Sequence, residues 1–138
     1  IGGGTVLFDG TAGQAGSVAG EVWVGHTVSN AASLILSNAV FTNSSWLAVG
    51  RGNGTSGLSA TLKLMNSTNV CANLALGYWN NLVGNLQKPV MTLQGASATL
   101  VTGGGINLGE SAGSSATLEI LDSSTVRAAG RVRVGTAG

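Results

Sequence analysis

The sequence predicts an all-β fold, namely a right-handed parallel β-helix (β-solenoid) of about five rungs with 25–32 residues per rung. One observation behind this prediction is a unit of short strand, polar turn, short strand and glycine turn that occurs five times. The glycines that close the second strand of each unit are 25, 27, 32 and 26 residues apart: Gly25, Gly50, Gly77, Gly109 and Gly135. The other observation is that apolar residues alternate with period two, whereas no segment repeats them at helical spacing.

Composition narrows the possible classes of function. Only 8% of the residues are charged and 23 of 138 are glycine, yet 43% are hydrophobic and alternate, which favours packed strands over disorder. The net charge is +1 with scattered lysines and arginines, so the chain carries no electrostatic footprint for nucleic acid. No apolar run reaches the ~18 residues of a membrane span. The single cysteine, Cys71, has no partner for an internal disulfide, and we expect a small buried hydrophobic residue there.

The first strand of each unit combines a small residue, Thr or Ser, and aliphatic residues. The five segments are Gly4–Phe8, Ala32–Leu36, Ala60–Leu64, Met91–Gly95 and Ala116–Ile120. Alternation places the third residue of each segment inside, which gives the predicted inward column Val6, Leu34, Leu62, Leu93 and Leu118. The fourth residue faces the other way, and Lys63, Gln94 and Glu119 at that position indicate contact with solvent.

The second strand of each unit reads VWV, LAV, LAL, INL or VRV before the closing glycine. The inward residues of these strands are aliphatic in all ten positions. The outward residues are expected to share only exposure: Trp23, Ala48, Ala75, Asn107 and Arg133. Between the two strands lies a further apolar residue that indicates a short third side of each rung: Val18, Val40, Val70, Leu100 or Val126.

The spacing of the strands favours coils over hairpins. An antiparallel stack of hairpins needs tight two-residue turns, and the gaps within a unit are too long and irregular for those. Coiling each unit once stacks equivalent residues about 4.8 Å apart, with the right-handed sense that parallel crossovers prefer. The stretch Tyr78–Lys88 is the one long insertion and is expected to project as a loop. We expect residues 1–138 to form a single β-solenoid segment of a longer repeat protein or fibre, because both ends look like the interior of a repeat.

The pattern ATLxL…VxxxxxLxLGxxxG resembles the strand-loop-strand repeats of bacterial autotransporter-type passengers and related giant surface proteins. The resemblance covers essentially all 138 residues. It implies a secreted or surface-displayed β-helix that serves as a stalk or adhesin, in an extracellular or cell-surface location. The resemblance implies no catalytic residue at any position of this sequence.

The inventory of chemically active side chains argues against an enzyme. Glycoside hydrolysis needs two carboxylates about 5–9.5 Å apart. The chain has five carboxylates in all: Asp9, Glu21, Glu110, Glu119 and Asp122. Glu119 and Asp122 are near neighbours, but one belongs to a solvated strand face and the other to a turn. We expect no catalytic residue, no metal site and no cofactor, and the runs Gly2–Gly4 and Gly103–Gly105 are interpreted as turns.

One exposed column remains as a weak candidate for a ligand site. The residues that directly follow the closing glycines would stack at one corner, with two tryptophans near them: His26, Arg51, Tyr78, Glu110 and Thr136, with Trp23 and Trp79. Such a column can hold a sugar by stacking and hydrogen bonds, or it is the ordinary polar corner of a solenoid. Sequons at Asn43, Asn53 and Asn66 bear on glycosylation only in a secreted eukaryotic protein.

The sequence therefore predicts a structural segment of the extracellular space or cell surface: a stalk, fibre or adhesin shaft. The alternative is a carbohydrate-binding or polysaccharide-processing β-helix. The expected partners are the chain itself, joined head to tail, or flanking repeats of the parent chain, and surface glycans in the alternative. Val132 and Val134 would then pack over Val22 and Val24 of the next copy. Neither nucleic acid nor a membrane span is expected for this segment.

Overall fold

The computed structural model describes residues 1, 3–11, 15–25, 31–50, 60–77, 88–109 and 115–135. All regular secondary structure within these residues is β-strand, which confirms the all-β prediction. The strands in chain order are β1 (Gly4–Asp9), β2 (Ala15–Val18), β3 (Val22–Val24), β4 (Ala32–Ser37), β5 (Val40–Val49), β6 (Ala60–Met65), β7 (Thr68–Leu76), β8 (Val90–Gln94), β9 (Thr99–Thr102), β10 (Ile106–Leu108), β11 (Thr117–Ile120), β12 (Thr125–Ala128) and β13 (Val132–Val134). Most of the predicted insertion Tyr78–Lys88 lies outside the described residues.

Every strand pairing is parallel, and the chain coils as a β-solenoid. Side 1 of the coil is the sheet β1-β4-β6-β8-β11. From the first to the last of its five stacked strands, the chain makes about four turns of the solenoid. The second sheet bends, because the long strand β5 pairs with both β2 and β3 along its length. Strand β7 likewise pairs with both β9 and β10. We call the part of this sheet with β2, β9 and β12 side 2 and the part with β3, β10 and β13 side 3, so each rung has the predicted third side.

Side 1 confirms the inward column in four of the five units, including Leu118, which pairs with Met91, and corrects it in the fourth unit. Val6 pairs with Leu34, and Leu34 pairs with Leu62. Leu62 then pairs with Met91 rather than with Leu93. The prediction for this unit was wrong by two residues, a slip that leaves the same residues pointing inward because side chains alternate with period two. Leu93 is still fully buried, but it lies over Leu64 in the adjacent inward column.

Side 3 has the predicted register throughout. One inward column is Val22, Leu47, Leu74, Ile106 and Val132, and the other is Val24, Val49, Leu76, Leu108 and Val134. The expectation that all outward residues are exposed is wrong for Ala48 and Ala75, which are only 2% and 1% exposed. Side 3 is therefore not a uniformly solvated face, and the small methyl groups are accommodated beneath its surface.

The predicted apolar column on side 2 is confirmed for Leu100 and Val126, which stack in an inward column, and is wrong for Val40 and Val70. Val40 and Val70 point outward and are exposed, whereas their strand neighbours point inward. The two inward columns are Gly16, Phe41, Asn69, Leu100 and Val126, and Val18, Asn43, Cys71, Thr102 and Ala128. Polar residues occupy several of these positions, so hydrophobicity alone pointed to the wrong residues. At the first rung the column is filled by an edge-to-face contact between Phe8 and Phe41, with ring centroids 6.0 Å apart.

The corners of the coil use the turn residues that the sequence indicates. At the corner between sides 1 and 2 the positive backbone φ angles belong to Asn38, Asn66, Gly95, Asp122 and Ser123. The closing glycines after side 3 all have φ between 59° and 74°, a region where glycine meets no Cβ penalty. Each of these glycines donates its N–H to a carbonyl of the preceding rung, so the corners continue the ladder of the sheets.

Candidate functional site

The predicted exposed column falls almost entirely in segments outside the description of the structure. His26, Arg51, Tyr78, Trp79 and Glu110, together with Thr136, lie outside the described residues. The remaining member, Trp23, is half-buried on β3, and its indole Nε1 donates a hydrogen bond of 2.5 Å to Glu21 Oε2. The sugar-binding interpretation of this column stays a prediction.

The described carboxylates have local structural roles. Glu119 is exposed on side 1 and accepts a hydrogen bond of 2.9 Å from Thr92 Oγ1 on the neighbouring strand. Asp122 lies in the turn after β11 with φ of 52°, as the sequence indicates. Asp9 Oδ1 accepts a hydrogen bond of 3.1 Å from the backbone N–H of Thr11. Within residues 3–11, 15–25, 31–50, 60–77, 88–109 and 115–135, no three potential metal ligands (His, Cys, Asp or Glu) cluster.

A groove on the outer surface of side 3 brings together a different set of polar and aromatic residues. It has a volume of about 240 Å3 and is lined by Trp46, Asn73, Gly105, Asn107, Arg131 and Arg133. Trp46 pairs with Asn73 across β5 and β7, and Asn107 pairs with Arg133 across β10 and β13. The lining thus comes from four successive rungs, about 4.8 Å apart.

One row of the groove lining stacks along the edge of side 3. Four outward positions stack at the edge of side 3, namely Trp46, Asn73, Gly105 and Arg131. Gly105 contributes only backbone to this row, because a Cβ there would lie 2.9 Å from the backbone carbonyl oxygen of Arg131. Along the solenoid axis, Trp46 and Asn73 line the groove on the two earlier rungs, and Arg131 and Arg133 line it on the last rung. Asn107, which pairs with Arg133, lines it on the rung before the last.

Close backbone packing holds the corner behind the groove. Asn73 Oδ1 accepts a hydrogen bond of 2.9 Å from the N–H of Gly105. The N–H of Gly104 donates to the carbonyl of Ala72 at 2.6 Å, and the N–H of Gly130 donates to the carbonyl of Gly104 at 2.8 Å. A Cβ at Gly104 would lie 2.2 Å from Asn73 Oδ1, so only glycine fits there without a shift. The interpretation of residues 103–105 as a turn is confirmed, and this hydrogen-bonded turn lies directly behind the groove.

Sequence reasoning missed this groove for a physical reason. Its residues belong to different rungs and share no motif, and the outward column was described only as exposed. Two signals were present: Asn107 and Arg133 occupy equivalent positions, and the glycine run interrupts a row of larger side chains. Either signal can be recognised only when it is known which residues stack on neighbouring rungs. The strand pairings of the structure give that register.

The interior of side 2 holds a second group of polar side chains, but it is closed to solvent. Cys71 is buried, as predicted, and burial raises the pKa of its thiol from 9.0 to about 12. The thiolate that reacts with electrophiles is therefore suppressed at neutral pH. Asn43 and Asn69 are buried beside it, and the side-chain carbonyl oxygen of each has no hydrogen-bond partner within the described structure.

Comparison of the chain with models of known protein families, with curated proteins and with solved structures found no match. Among the residues that the structure describes, no helix has the length and apolar character of a membrane span.

Proposed function

We propose that the chain is a non-catalytic segment of an extracellular or surface-displayed shaft, whose rungs continue end to end through a second copy or through flanking repeats. The observation that carries the proposal is the exposure of inward-facing aliphatic side chains at both ends of the stack. Val6 in the first rung is 45% exposed, and Ile120 and Val134 in the last rung are 50% and 73% exposed. Leu62 in the middle of the stack is fully buried. A further rung on either end would remove this apolar surface from water.

The backbone at the last rung supports the same proposal. Within the described part of the chain, β11 pairs only with β8, β12 only with β9 and β13 only with β10. The opposite edge of each strand presents N–H and C=O groups that can pair with another parallel strand. The resemblance of the repeats to those of bacterial surface proteins supports the extracellular part of the proposal.

At the first rung, the strand edge of side 3 is covered, whereas the strand edge of side 1 is open. The N-terminal amine of Ile1 donates to the carbonyl of Trp23 at 2.7 Å, and the N–H of Gly25 donates to the carbonyl of Ile1 at 2.9 Å. Ile1 thus occupies the edge of β3, and Val24 is fully buried. The expected contact of Val134 with Val24 of a next copy would have to displace Ile1.

A second copy can instead pair with the edge of side 1 at the first rung. Strand β1 pairs only with β4 among the described strands, so its outer edge is available. In the register of the other rungs, Leu118 of one copy would lie over Val6 of the next, and Ile120 would lie over Phe8. This join is heterologous and does not close on itself, so repeated stacking gives a filament.

Light scattering and negative-stain microscopy of the purified chain test the proposal. We expect end-to-end oligomers or filaments whose growth depends on concentration, and Ile120→Glu is expected to prevent them by placing a charge at the join. Met65→Glu is the matched control, because Met65 is 41% exposed on the outer face of side 1, away from the ends. A chain that stays a folded monomer at high concentration contradicts self-association. Should Ile120→Glu unfold the last rung, Val6→Glu replaces it, because Val6 is 45% exposed and lies on the opposite side of the same join.

A further inference from the structure

We propose that the groove on side 3 is a binding site for an acidic saccharide, that is, a sugar chain that carries carboxylate or sulfate groups. This inference is independent of the proposed shaft function, and it lies on different residues from the predicted column at His26. It rests on the chemistry and the arrangement of the groove lining.

The charge of the groove selects an anionic ligand. Two of the chain's six lysine and arginine residues, Arg131 and Arg133, lie together in it, and none of its lining residues is acidic. A planar guanidinium matches the two oxygens of a carboxylate or sulfate with parallel N–H donors. The backbone carbonyl of Arg131 accepts the N–H of Ile106 at 3.0 Å, as part of the hydrogen-bond ladder between rungs. This ladder bond does not involve the guanidinium of Arg131.

The other lining groups select a sugar rather than a simple anion. The indole of Trp46, which lines the groove three rungs from the arginines, provides an apolar ring on which the C–H face of a sugar can stack. Asn73 uses its Oδ1 for the bond to Gly105, which orients its amide Nδ2 as the available donor. Asn107, which also lines the groove, adds a donor and an acceptor for ring hydroxyls.

The dimensions favour a short stretch of a chain over an engulfed small molecule. A volume of about 240 Å3 is below the ~300 Å3 at which pockets begin to bury drug-sized ligands. The lining extends across four rungs, and the rung spacing of about 4.8 Å is comparable with the length of one sugar residue. The groove therefore suits one or two rings of an oligosaccharide that runs along the solenoid axis. The backbone hydrogen bonds of the glycine corner hold three successive rungs together behind the groove, which lowers the cost of ordering the site on binding.

Isothermal titration calorimetry of the full chain tests this site with four probes: tetragalacturonate, a sulfated heparin tetrasaccharide, neutral cellotetraose and an oligothymidylate. We expect one or both acidic saccharides to bind, with an affinity that falls as salt is added. The two acidic probes distinguish a carboxylate from a sulfate as the recognised group. Arg131→Gln is expected to weaken binding about tenfold or more, because it removes charge-assisted hydrogen bonds.

Arg127→Gln is the matched control, since Arg127 is an exposed arginine on β12 of side 2 and does not line the groove. We expect it to change the affinity by less than about twofold. Trp46→Leu keeps apolar bulk but removes the aromatic face. We expect this variant also to bind the acidic saccharides more weakly than the unchanged chain does, with an unchanged thermal midpoint of unfolding. Equal binding of cellotetraose, equal losses from the two arginine variants, or no binding of any probe would overturn the proposal. Tighter binding of the oligothymidylate than of both acidic saccharides would also overturn it and assign the groove to a nucleic acid.

Discussion

Replacing Leu62 with alanine tests the core of the solenoid directly. Leu62 is fully buried and stacks between Leu34 and Met91 of the adjacent rungs. The loss of roughly three carbon atoms, at about 0.8 kcal/mol each, removes ~2.4 kcal/mol of transfer free energy. A residual cavity of roughly 60 Å3, at about 24 cal/mol per Å3, adds ~1.4 kcal/mol. We therefore expect Leu62→Ala to lower the free energy of unfolding by about 3–4 kcal/mol.

Lys63→Ala provides the matched control for this substitution. Lys63 is the next residue on β6, but it points outward and is exposed, so we expect its replacement to change the free energy of unfolding by less than about 0.5 kcal/mol. Equilibrium urea denaturation followed by circular dichroism measures both values, at a protein concentration where light scattering shows no association. Equal losses from the two variants would show that the inward and outward faces of side 1 are wrongly assigned.

Three other perturbations test the corner, the thiol and the polar interior. Gly104→Ala should lower stability by about 1–3 kcal/mol in urea denaturation, because its Cβ meets Asn73 Oδ1; Gly103→Ala, whose Cβ meets nothing within 4 Å, should be nearly neutral. Burial raises the pKa of Cys71 from 9.0 to about 12, so its thiol ionises first in the unfolded chain. Relative to Cys71→Ala, the protein should therefore keep its full stability below pH 9 and lose up to about 1.4 kcal/mol per pH unit between pH 9 and 12 in the same assay; equal pH profiles would contradict the burial. Asn69→Leu should leave the thermal midpoint unchanged or raise it, because removing a buried carbonyl oxygen without a partner outweighs losing the Nδ2 hydrogen bond to the Phe41 carbonyl; a large decrease would contradict this balance.

The sequence was most informative where stacking imposes the same demand on every rung. On side 3 each inward position must fill a column between two neighbours, and aliphatic residues recur there in all units, so the register was predictable. On side 1 the fourth unit was misaligned by two residues. Burial depends only on which face a residue points to, and both Leu93 and Met91 satisfy it. Only the backbone pairing distinguishes the two registers.

Side 2 was less predictable because its interior does not follow hydrophobicity. Asn43 and Asn69 point inward, whereas Val40 and Val70 point outward, and a register shift in β5 between Asn43 and Trp46 interrupts the alternation. Each asparagine amide donates to a backbone carbonyl, Asn43 Nδ2 to Ser45 and Asn69 Nδ2 to Phe41, which offsets part of the cost of burial. A pattern of apolar residues cannot reveal such local bonds, since they depend on the path of the backbone.

The outward column of side 3 shows why a repeat sequence can hide a binding site. The ladder between rungs is made by backbone groups, so the fold constrains the inward side chains and leaves the outward ones free to differ. Trp23, Ala48, Ala75, Asn107 and Arg133 share one column and one backbone geometry, yet they differ in size, charge and hydrogen bonding. The ladder does not set this variation, although the burial of Ala48 and Ala75 restricts those two positions to small side chains. In a solenoid the repeated residues therefore report how the chain folds, and the places where an outward column departs from uniformity, as around Gly105, are where a ligand site can form without disturbing the shaft.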